Sequence, residues 1–490
     1  MSMSSQSMII LTLLLPLVAA VLIVLADKKP NLREAITLIT AGCVAVLVIN
    51  LFFRVNAGEV PTLDLFEVIP GIRVSFSIEP LGMLFALVAG TLWLVTSIYA
   101  IGYMRGHNEK NQTRFYATFA IAISSALAAA FSANMFTLFL CYEILTISTY
   151  PLVTHSGSKE ARRSGRVYLG ILLGTSIGFQ LLAILITWSV AGTLDFKHGG
   201  ILAGKLDPAY AGMLYALFIF GVGKAAVMPF HKWLPAAMVA PTPVSALLHA
   251  VAVVKAGVFT ILKVTLYIFG SDFITSSGAS DWLIWFAATT VLLASLIAMT
   301  KDNLKARLAY STVSQLSYIV LGALIATEMS LIGASMHIAM HAFAKITLFF
   351  AAGAILVAAH KTDISQMGGL GRRMPLTFFA FTIASLSIIG LPPFGGMWSK
   401  WYLALGTVHA EQWLLLGVFM ISSLLNITYL LPIAVRGFFA KPNDGESLAN
   451  IHEAPAPILL AMGFTALMCI VLFFHPDPFY DLSILAVRGN

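Results

Sequence analysis

Charge is what this sequence has least of. Asp, Glu, Lys and Arg make up 10% of its 490 residues, against roughly 25% in soluble domains. So few charges cannot cover a soluble core of this size, and the 59% hydrophobic content points to lipid as the solvent. Cysteine is scarce as well. Cys43, Cys141 and Cys469 lie inside apolar segments without metal-ligand spacing or a near partner, so they read as small buried hydrophobes. There is no glycine-rich nucleotide loop, no CxxC, no haem-type motif and no plausible nucleophilic triad. No cofactor and no enzymatic site is therefore expected in the chain itself. The net charge of +7 would suit a nucleic-acid partner. That reading is excluded because the basic residues sit in short loops between apolar runs and form no basic face.

What is abundant is apolar sequence in runs of membrane-spanning length. A spanning helix needs about 20 mostly apolar residues. Candidates are 8–26, 34–53, 80–103, 115–131, 134–153, 167–191, 210–229, 240–269, 282–299, 307–325, 329–358, 374–403, 412–435 and 455–474, about fourteen by that criterion. The fourth and fifth are divided only by Ser132, Ala133 and Asn134, which must form a tight turn. The first run lacks a basic leader and a small-x-small cleavage site, so it is expected to remain as a helix. The segment 54–79 differs: Pro61, Pro70, Gly71 and the alternation in "IRVSFSIE" predict a short extracytoplasmic β-hairpin. No separate soluble domain fits; the longest polar stretch elsewhere, Ala440 to Glu453, is expected to be a loop.

Loop charge gives the orientation. With the N-terminus outside, inner loops hold 19 of the 29 Lys and Arg residues, outer loops hold 5 (Arg54, Arg73, Lys197, Lys205 and Arg488), and 5 fall within helices. This is the positive-inside bias. An even helix count puts both termini on the outer side, and one missed helix would scramble the separation.

The five basic residues within helices are Lys224, Lys255, Lys263, Lys345 and Lys400, joined by one mid-helix acid, Glu143. Each costs at least about 2.5–3.5 kcal/mol at the bilayer centre, so each is by default a functional site facing the bundle interior. Lysine suits proton exchange because burial readily shifts its equilibrium. Lys224 lies in "GVGKAAVMPFHKWLP", and Lys400 follows "GLPPFGGMWS". Glycine and proline should break both helices, and breaks are tolerated only where backbone lines protein or water. The two broken, lysine-bearing helices lie 176 residues apart (400 − 224), a pattern that points to an inverted-repeat transporter. Helix 307–325 carries Gln315 and Tyr318 where an acid matching Glu143 would stand, so the halves are not chemically equivalent.

Glu143 reads as a proton-exchanging carboxylate or as an electrostatic partner that tunes a lysine, with pairing to Lys224 expected; the competing reading is a structural salt bridge. His337, His341 and Lys345 follow at i, i+4 and i+8. They form one stripe about 12 Å long, and histidine titrates near neutral pH. The stripe reads as a proton relay. A zinc site is the competing reading, but no third ligand is in reach. His249 and Lys255, six apart, are turned roughly 120° from each other on an ideal helix and face different partners unless the helix is distorted. Lys263 is nearer its helix end and is expected to snorkel. Methionines and aromatics are scattered, as packing and interface anchoring require.

The runs "HKWLPAAMVAPTPVSALLHAVAVVKAG", "KARLAYSTVSQLSYI", "HIAMHAFAKITLFFAAGAI" and "GLPPFGGMWSKWYL" resemble the antiporter-like subunits of respiratory complex I and of Mrp-type cation/proton antiporters. The resemblance covers roughly residues 80 to 435. Length and the "SKWYLALG" segment look like the D-type member of the Mrp antiporters, whereas "PTPVSALLHA" with His249 is more like the larger members. The resemblance implies an all-α polytopic membrane fold of fourteen core helices, with helices 4–8 and 9–13 as inverted five-helix repeats and helices 7 and 12 broken. It matches Glu143, Lys224, His249, Lys255, His337, His341, Lys345 and Lys400 to the family's proton-carrying positions.

The expected organisation is 1–114 (three helices and the hairpin), 115–270 and 282–437 (the two repeats), and 438–490 (the last helix). The expected function is proton translocation across the cytoplasmic membrane of a bacterial or archaeal-type cell, within a multi-subunit Na⁺/H⁺ antiporter. Protons would enter a half-channel near Lys224, cross through Lys255, His249, His341, His337 and Lys345, and leave or enter through a second half-channel at Lys400. The alternative is a proton-pumping subunit of a quinone- or hydrogenase-type redox complex. Other membrane subunits are expected partners in either case.

Overall fold

Lipid offers no partner to backbone N–H and C=O groups, so long apolar runs close their hydrogen bonds internally as helices. The computed structural model describes residues 3–247, 251–442 and 448–489, and these are almost entirely helical. The helices are α1 (Ser5–Leu25), α2 (Pro30–Asn56), α3 (Pro80–Gly106), α4 (Gln112–Ala130), α5 (Met135–Val153), α6 (Lys159–Thr175), α7 (Leu181–Ala191), α8 (Pro208–Gly221), α9 (Trp233–Ala236), α10 (Thr242–Leu247), α11 (Val253–Lys263), α12 (Ser271–Ser277), α13 (Leu283–Thr300), α14 (Leu304–Ile325), α15 (Glu328–Ala359), α16 (Pro375–Ile389), α17 (Gly396–His409), α18 (Trp413–Phe439), α19 (Ala456–Phe474) and α20 (Asp477–Arg488). Pro30, Pro80, Pro208 and Pro375 each open a helix, where the missing N–H has no partner to lose.

Among the described residues, eleven helices are long and apolar enough to cross a membrane, or twelve if the bent pair Val253–Phe269 and Ser271–Ser277 is one span. The expected count of about fourteen, with two helices broken, is not confirmed by this criterion. The apolar runs at 210–229 and 374–403 are divided, leaving the shorter helices Pro208–Gly221 and Pro375–Ile389. The amphipathic α20, which packs on α3 and α15, was not foreseen, because twelve residues with charged ends fall below the apolar length of a span.

The expected hairpin is present as β1 (Thr62–Ile69) and β2 (Ile72–Ser77), antiparallel with Thr62 opposite Ser77. The turn between α4 and α5 fastens it. Asn134 Oδ1 caps α5 by accepting from the Thr137 N–H at 2.8 Å, while its Nδ2 donates to Arg73 O at 2.9 Å and Ser75 Oγ at 3.0 Å. One residue therefore satisfies a helix end and pins the hairpin.

The two breaks are satisfied differently. After α8, the Trp233 indole donates to Gly223 O at 2.8 Å and the Lys224 N–H donates to the Tyr142 hydroxyl at 3.1 Å. After α16, Gly390 adopts φ +92°, which glycine reaches without strain. The Gly395 N–H then donates to Cys469 O at 2.8 Å and the Gly396 N–H to Ser387 Oγ at 3.3 Å. The 32-residue α15 is buried along almost its whole length and packs against α3, α10, α11, α14, α16, α17, α19 and α20.

Candidate functional site

Among the described residues, the intramembrane lysines and histidines lie at the first helix break and on α11, α15 and α17, with polar residues of α14 facing them. Lys224, Lys255, Lys263, Lys345, His337 and His341 are at most 2% exposed. Lys400 is half-buried. His249 lies outside the described residues.

Lys224 sits in the short 3₁₀ turn after α8. Its ammonium donates to Tyr142 O at 2.8 Å and Thr146 Oγ1 at 2.5 Å, and lies 3.0 Å from the centre of the Tyr142 ring. The expected contact with Glu143 is not made. Both Glu143 carboxylate oxygens are buried and without a hydrogen-bond partner among the described residues. Glu143 points from the next position on α5, and the face around it, with Ile144 and Ile147, is turned outward. The carbonyl and ring of its neighbour Tyr142 reach the lysine instead.

Lys255 and His341 do meet: Nζ lies 2.7 Å from Nδ1. When Lys255 is a charged ammonium it can only donate; Nδ1 then accepts and the His341 proton sits on Nε2. That nitrogen is buried and unpartnered among the described residues, and the His337 ring lies 5.7 Å away, centre to centre. His337 Nδ1 is 2.8 Å from Ser399 Oγ and its Nε2 is 3.2 Å from Gln315 Oε1. Ser399 Oγ is also 3.2 Å from Gly396 O. If the serine donates to the ring, His337 is neutral; if it donates to Gly396 O, Nδ1 can carry a proton. The surroundings thus fit both states of the imidazole.

Tyr318 bridges the histidines to the second lysine. Its ring stacks on His337 at 5.8 Å, and the Lys400 ammonium lies 4.9 Å from its centre. Lys400 also donates to Ile389 O, a carbonyl freed at the break, at 3.2 Å, and to Ser423 Oγ at 3.1 Å. It stands in the wall of a cleft of about 650 Å³ between α17 and α18, with Tyr318, Trp401, Met420 and Ser423. Lys345 points to α14, donating to Ser311 Oγ at 2.7 Å, and the Tyr429 hydroxyl donates to the same oxygen at 3.0 Å.

The partners Tyr142, Thr146, Ser311, Ser399 and Ser423 escaped sequence reasoning, which weighed charges only. One signal was available: Ser311, Gln315 and Tyr318 recur at helical spacing on α14, facing the stripe on α15.

Lys263 does not snorkel. It is fully buried in an ion pair with Glu79, the residue that caps α3 and whose side chain is 15% exposed. Its ammonium lies 3.9 Å from the ring centre of Phe196, 4.7 Å from Tyr267 and 5.8 Å from Phe259. Burial pushes the Glu79 carboxyl up, and Lys263 pulls it back down.

A helical bundle with broken helices and a buried line of lysine and histidine defines the class as an antiporter-type membrane subunit. The chain belongs to the NADH:quinone oxidoreductase/Mrp antiporter transmembrane family, whose pattern matches residues 132–426. Residues 70–116 match the N-terminal pattern described for NADH-ubiquinone oxidoreductase (complex I) chain 5. NADH-quinone oxidoreductase subunit N of Desulforudis audaxviator is 33% identical over 370 residues, covering 74% of this chain and 73% of that one. Two solved structures share the fold. A chain of the Mrp complex from Dietzia sp. DQ12-45-1b is 21% identical with a TM-score of 0.87, over 99% of this chain and 98% of the other. A chain of the membrane-bound sulfane sulfur reductase, an archaeal respiratory membrane complex, is 25% identical with a TM-score of 0.87, over 98% and 97%.

Proposed function

We propose that this chain carries protons across the cytoplasmic membrane as a subunit of a multi-subunit monovalent cation (Na⁺)/H⁺ antiporter. The observation that carries the reading is the series of hydrogen bonds and ring contacts from Lys255 through His341 and His337 to Tyr318, Ser399 and Lys400. Each member can hold or pass a proton, and no competing use of so many buried charges is apparent at a cost of about 2.5–3.5 kcal/mol each. Protons enter at the first break near Lys224, cross along α11 and α15, and leave at the cleft beside Lys400. Lys345 with Ser311 and Tyr429 is a side branch of the same line. Glu143 biases Lys224 from the adjacent position on α5.

The chain is divided, in this reading, into residues 1–114, two inverted units at 115–270 and 282–437, and a terminal helix unit from 438. The loop-charge bias supports both termini on the outer side. Fold likeness to a chain of the Mrp complex fits the antiporter reading, and a place like that of the D-type member rests on the chain's length and the "SKWYLALG" segment. The relationship to a quinone oxidoreductase chain favours a second reading, a proton-pumping subunit of a redox complex.

The deciding experiment is Lys400→Ala in the intact complex, assayed in vesicles for ΔpH-coupled Na⁺ exchange. Loss of exchange with normal assembly supports the path. Unchanged exchange sinks it. If the wild-type complex moves protons only when an electron donor and a quinone are supplied, the redox reading replaces the antiporter.

A further inference from the structure

Lys263 and Glu79 lie outside the line described above, yet their ion pair ties the start of α3 to α11, the helix that carries the line's first member, Lys255. Lys263 follows Lys255 by eight residues on α11, about 12 Å along the axis. The two partners differ in exposure: the Lys263 side chain is fully buried, while that of Glu79 is 15% exposed beneath the hairpin. The pair therefore reaches from the rim of the hairpin to the helix that holds Lys255.

Stability alone gives a weak account of it. A buried ion pair is often no more stabilising than an apolar pair of similar volume. The surroundings also do more than hold the pair shut. Phe196, Tyr267 and Phe259 present rings to the ammonium, and such faces attract a cation. Lys263 can thus stay charged and in place when Glu79 takes a proton. The backbone is built for a local change there as well. Immediately after Lys263 the helix widens into a π-turn, Val264–Phe269, a distortion frequent at functional sites. That turn is clamped to the loop carrying Phe196, with the Ile201 N–H donating to Ile268 O at 2.9 Å.

Resting on the proposed function, we infer that Glu79 and Lys263 are a charge gate on the hairpin side, through which protonation of Glu79 from the outer solution loosens the proton held on Lys255. With Glu79 ionised, its charge cancels that of Lys263. With Glu79 protonated, the Lys263 charge is bare, and it repels the Lys255 ammonium along the helix. At an effective dielectric constant of about 20, a unit charge about 12 Å away shifts a proton equilibrium by about tenfold. Glu79 and Lys263 are positioning residues: they act on Lys255 and carry no proton along the line. Among the described residues, the titratable groups facing the pair are Tyr267 and, beyond its ring at 6.4 Å, His198. The hairpin and the α4–α5 turn add backbone bonds, such as the Ser77 N–H to Phe131 O at 2.7 Å.

The test measures ΔpH-coupled Na⁺ exchange in vesicles of the intact complex while outer pH is varied at fixed inner pH. Lys400→Ala is run alongside. Glu79→Gln mimics the protonated acid and should flatten the outer-pH profile, with the half-maximal proton concentration lost or moved about tenfold. Lys263→Arg keeps the charge and should retain the wild-type profile. A Glu79→Gln/Lys263→Gln double variant removes both charges, and it should also be insensitive to outer pH. A wild-type profile in Glu79→Gln or in the double variant, with Lys400→Ala inactive, overturns the gate and leaves the proton path standing. Full activity in Lys400→Ala overturns the path itself. If neither neutral variant assembles, the pair is structural and the gate is overturned.

Discussion

The ammonium of Lys255 and Nδ1 of His341 lie 2.7 Å apart although 86 residues separate them in sequence. With Lys255 charged, the contact leaves the His341 proton on Nε2, and the His337 ring lies 5.7 Å away, centre to centre. It joins α11, which packs against the first helix break, to α15, which packs against the second.

Replacing His341 by alanine should leave the Lys255 ammonium buried without its acceptor. A hydrogen bond to a charged group contributes about 1.5–3 kcal/mol, so the variant should lose on the order of tenfold or more in proton-coupled exchange. His341→Gln keeps an acceptor but cannot carry the relayed proton. Equal loss in both variants, at wild-type assembly, separates relay from packing. Recovery of transport in the glutamine variant would argue for packing alone.

Lys224 is held by Tyr142 and Thr146 and not by the neighbouring acid. Thr146→Val, nearly isosteric, should therefore disturb transport several-fold while changing stability by about 1–3 kcal/mol. Measuring exchange and thermal unfolding on the same preparation distinguishes the two effects. Glu143→Gln should act more mildly on stability, because its carboxylate has no bond to lose.

Gly257 stands two residues beyond Lys255, and a Cβ there would lie 2.5 Å from the Lys224 carbonyl carbon and 2.8 Å from Lys224 Cβ. Gly257→Ala should push α11 off the break that holds Lys224. Overpacking of this kind costs about 1–3 kcal/mol. Exchange should fall with no titratable group altered, and Gly170→Ala, at a position with open space, should be silent in the same assay.

His155, in the loop after α5, is 2% exposed, and burial holds its pKa below the usual 6.5. Glu109, 3.9 Å away, opposes this. The unfolded chain therefore binds the proton first as pH falls, so folding loses stability below about pH 6.5, by at most about 1.4 kcal/mol per pH unit within the window. Above that pH the penalty is absent. Thermal unfolding in detergent should show a shallower acid slope in His155→Leu than in wild type; identical slopes would remove His155 as the cause.

Much of this was readable in the residues. Gly221, Gly223, Pro392 and Gly395 marked both breaks, because glycine and proline interrupt a helix whatever surrounds it. The alternation in "IRVSFSIE" marked the hairpin, and the expense of burial singled out Lys224, Lys255, Lys345 and Lys400. What sequence could not supply was pairing. Glu143 is one residue from the carbonyl that Lys224 uses, a difference set by how α5 is rotated against α8. Lys263 was read as snorkelling because it stands near the end of the run 240–269; what the sequence could not show is its partner Glu79, 184 residues away, which holds it buried. Serine and threonine partners were overlooked because a hydroxyl costs little to bury and so leaves no mark in composition.

The length of α15 has a mechanical consequence. One continuous helix carries His337, His341 and Lys345, and it is gripped by α3, α10 and α11 and also by α14, α16 and α17. Gly353 lets it sit directly on Thr242, and Gly333 lets it touch the backbone of Leu403. A seesaw of one end of the chain against the other would have to tear both sets of grips from the same axle. In the proposed reading, turnover is therefore expected to come from swivelling side chains around a stationary α15.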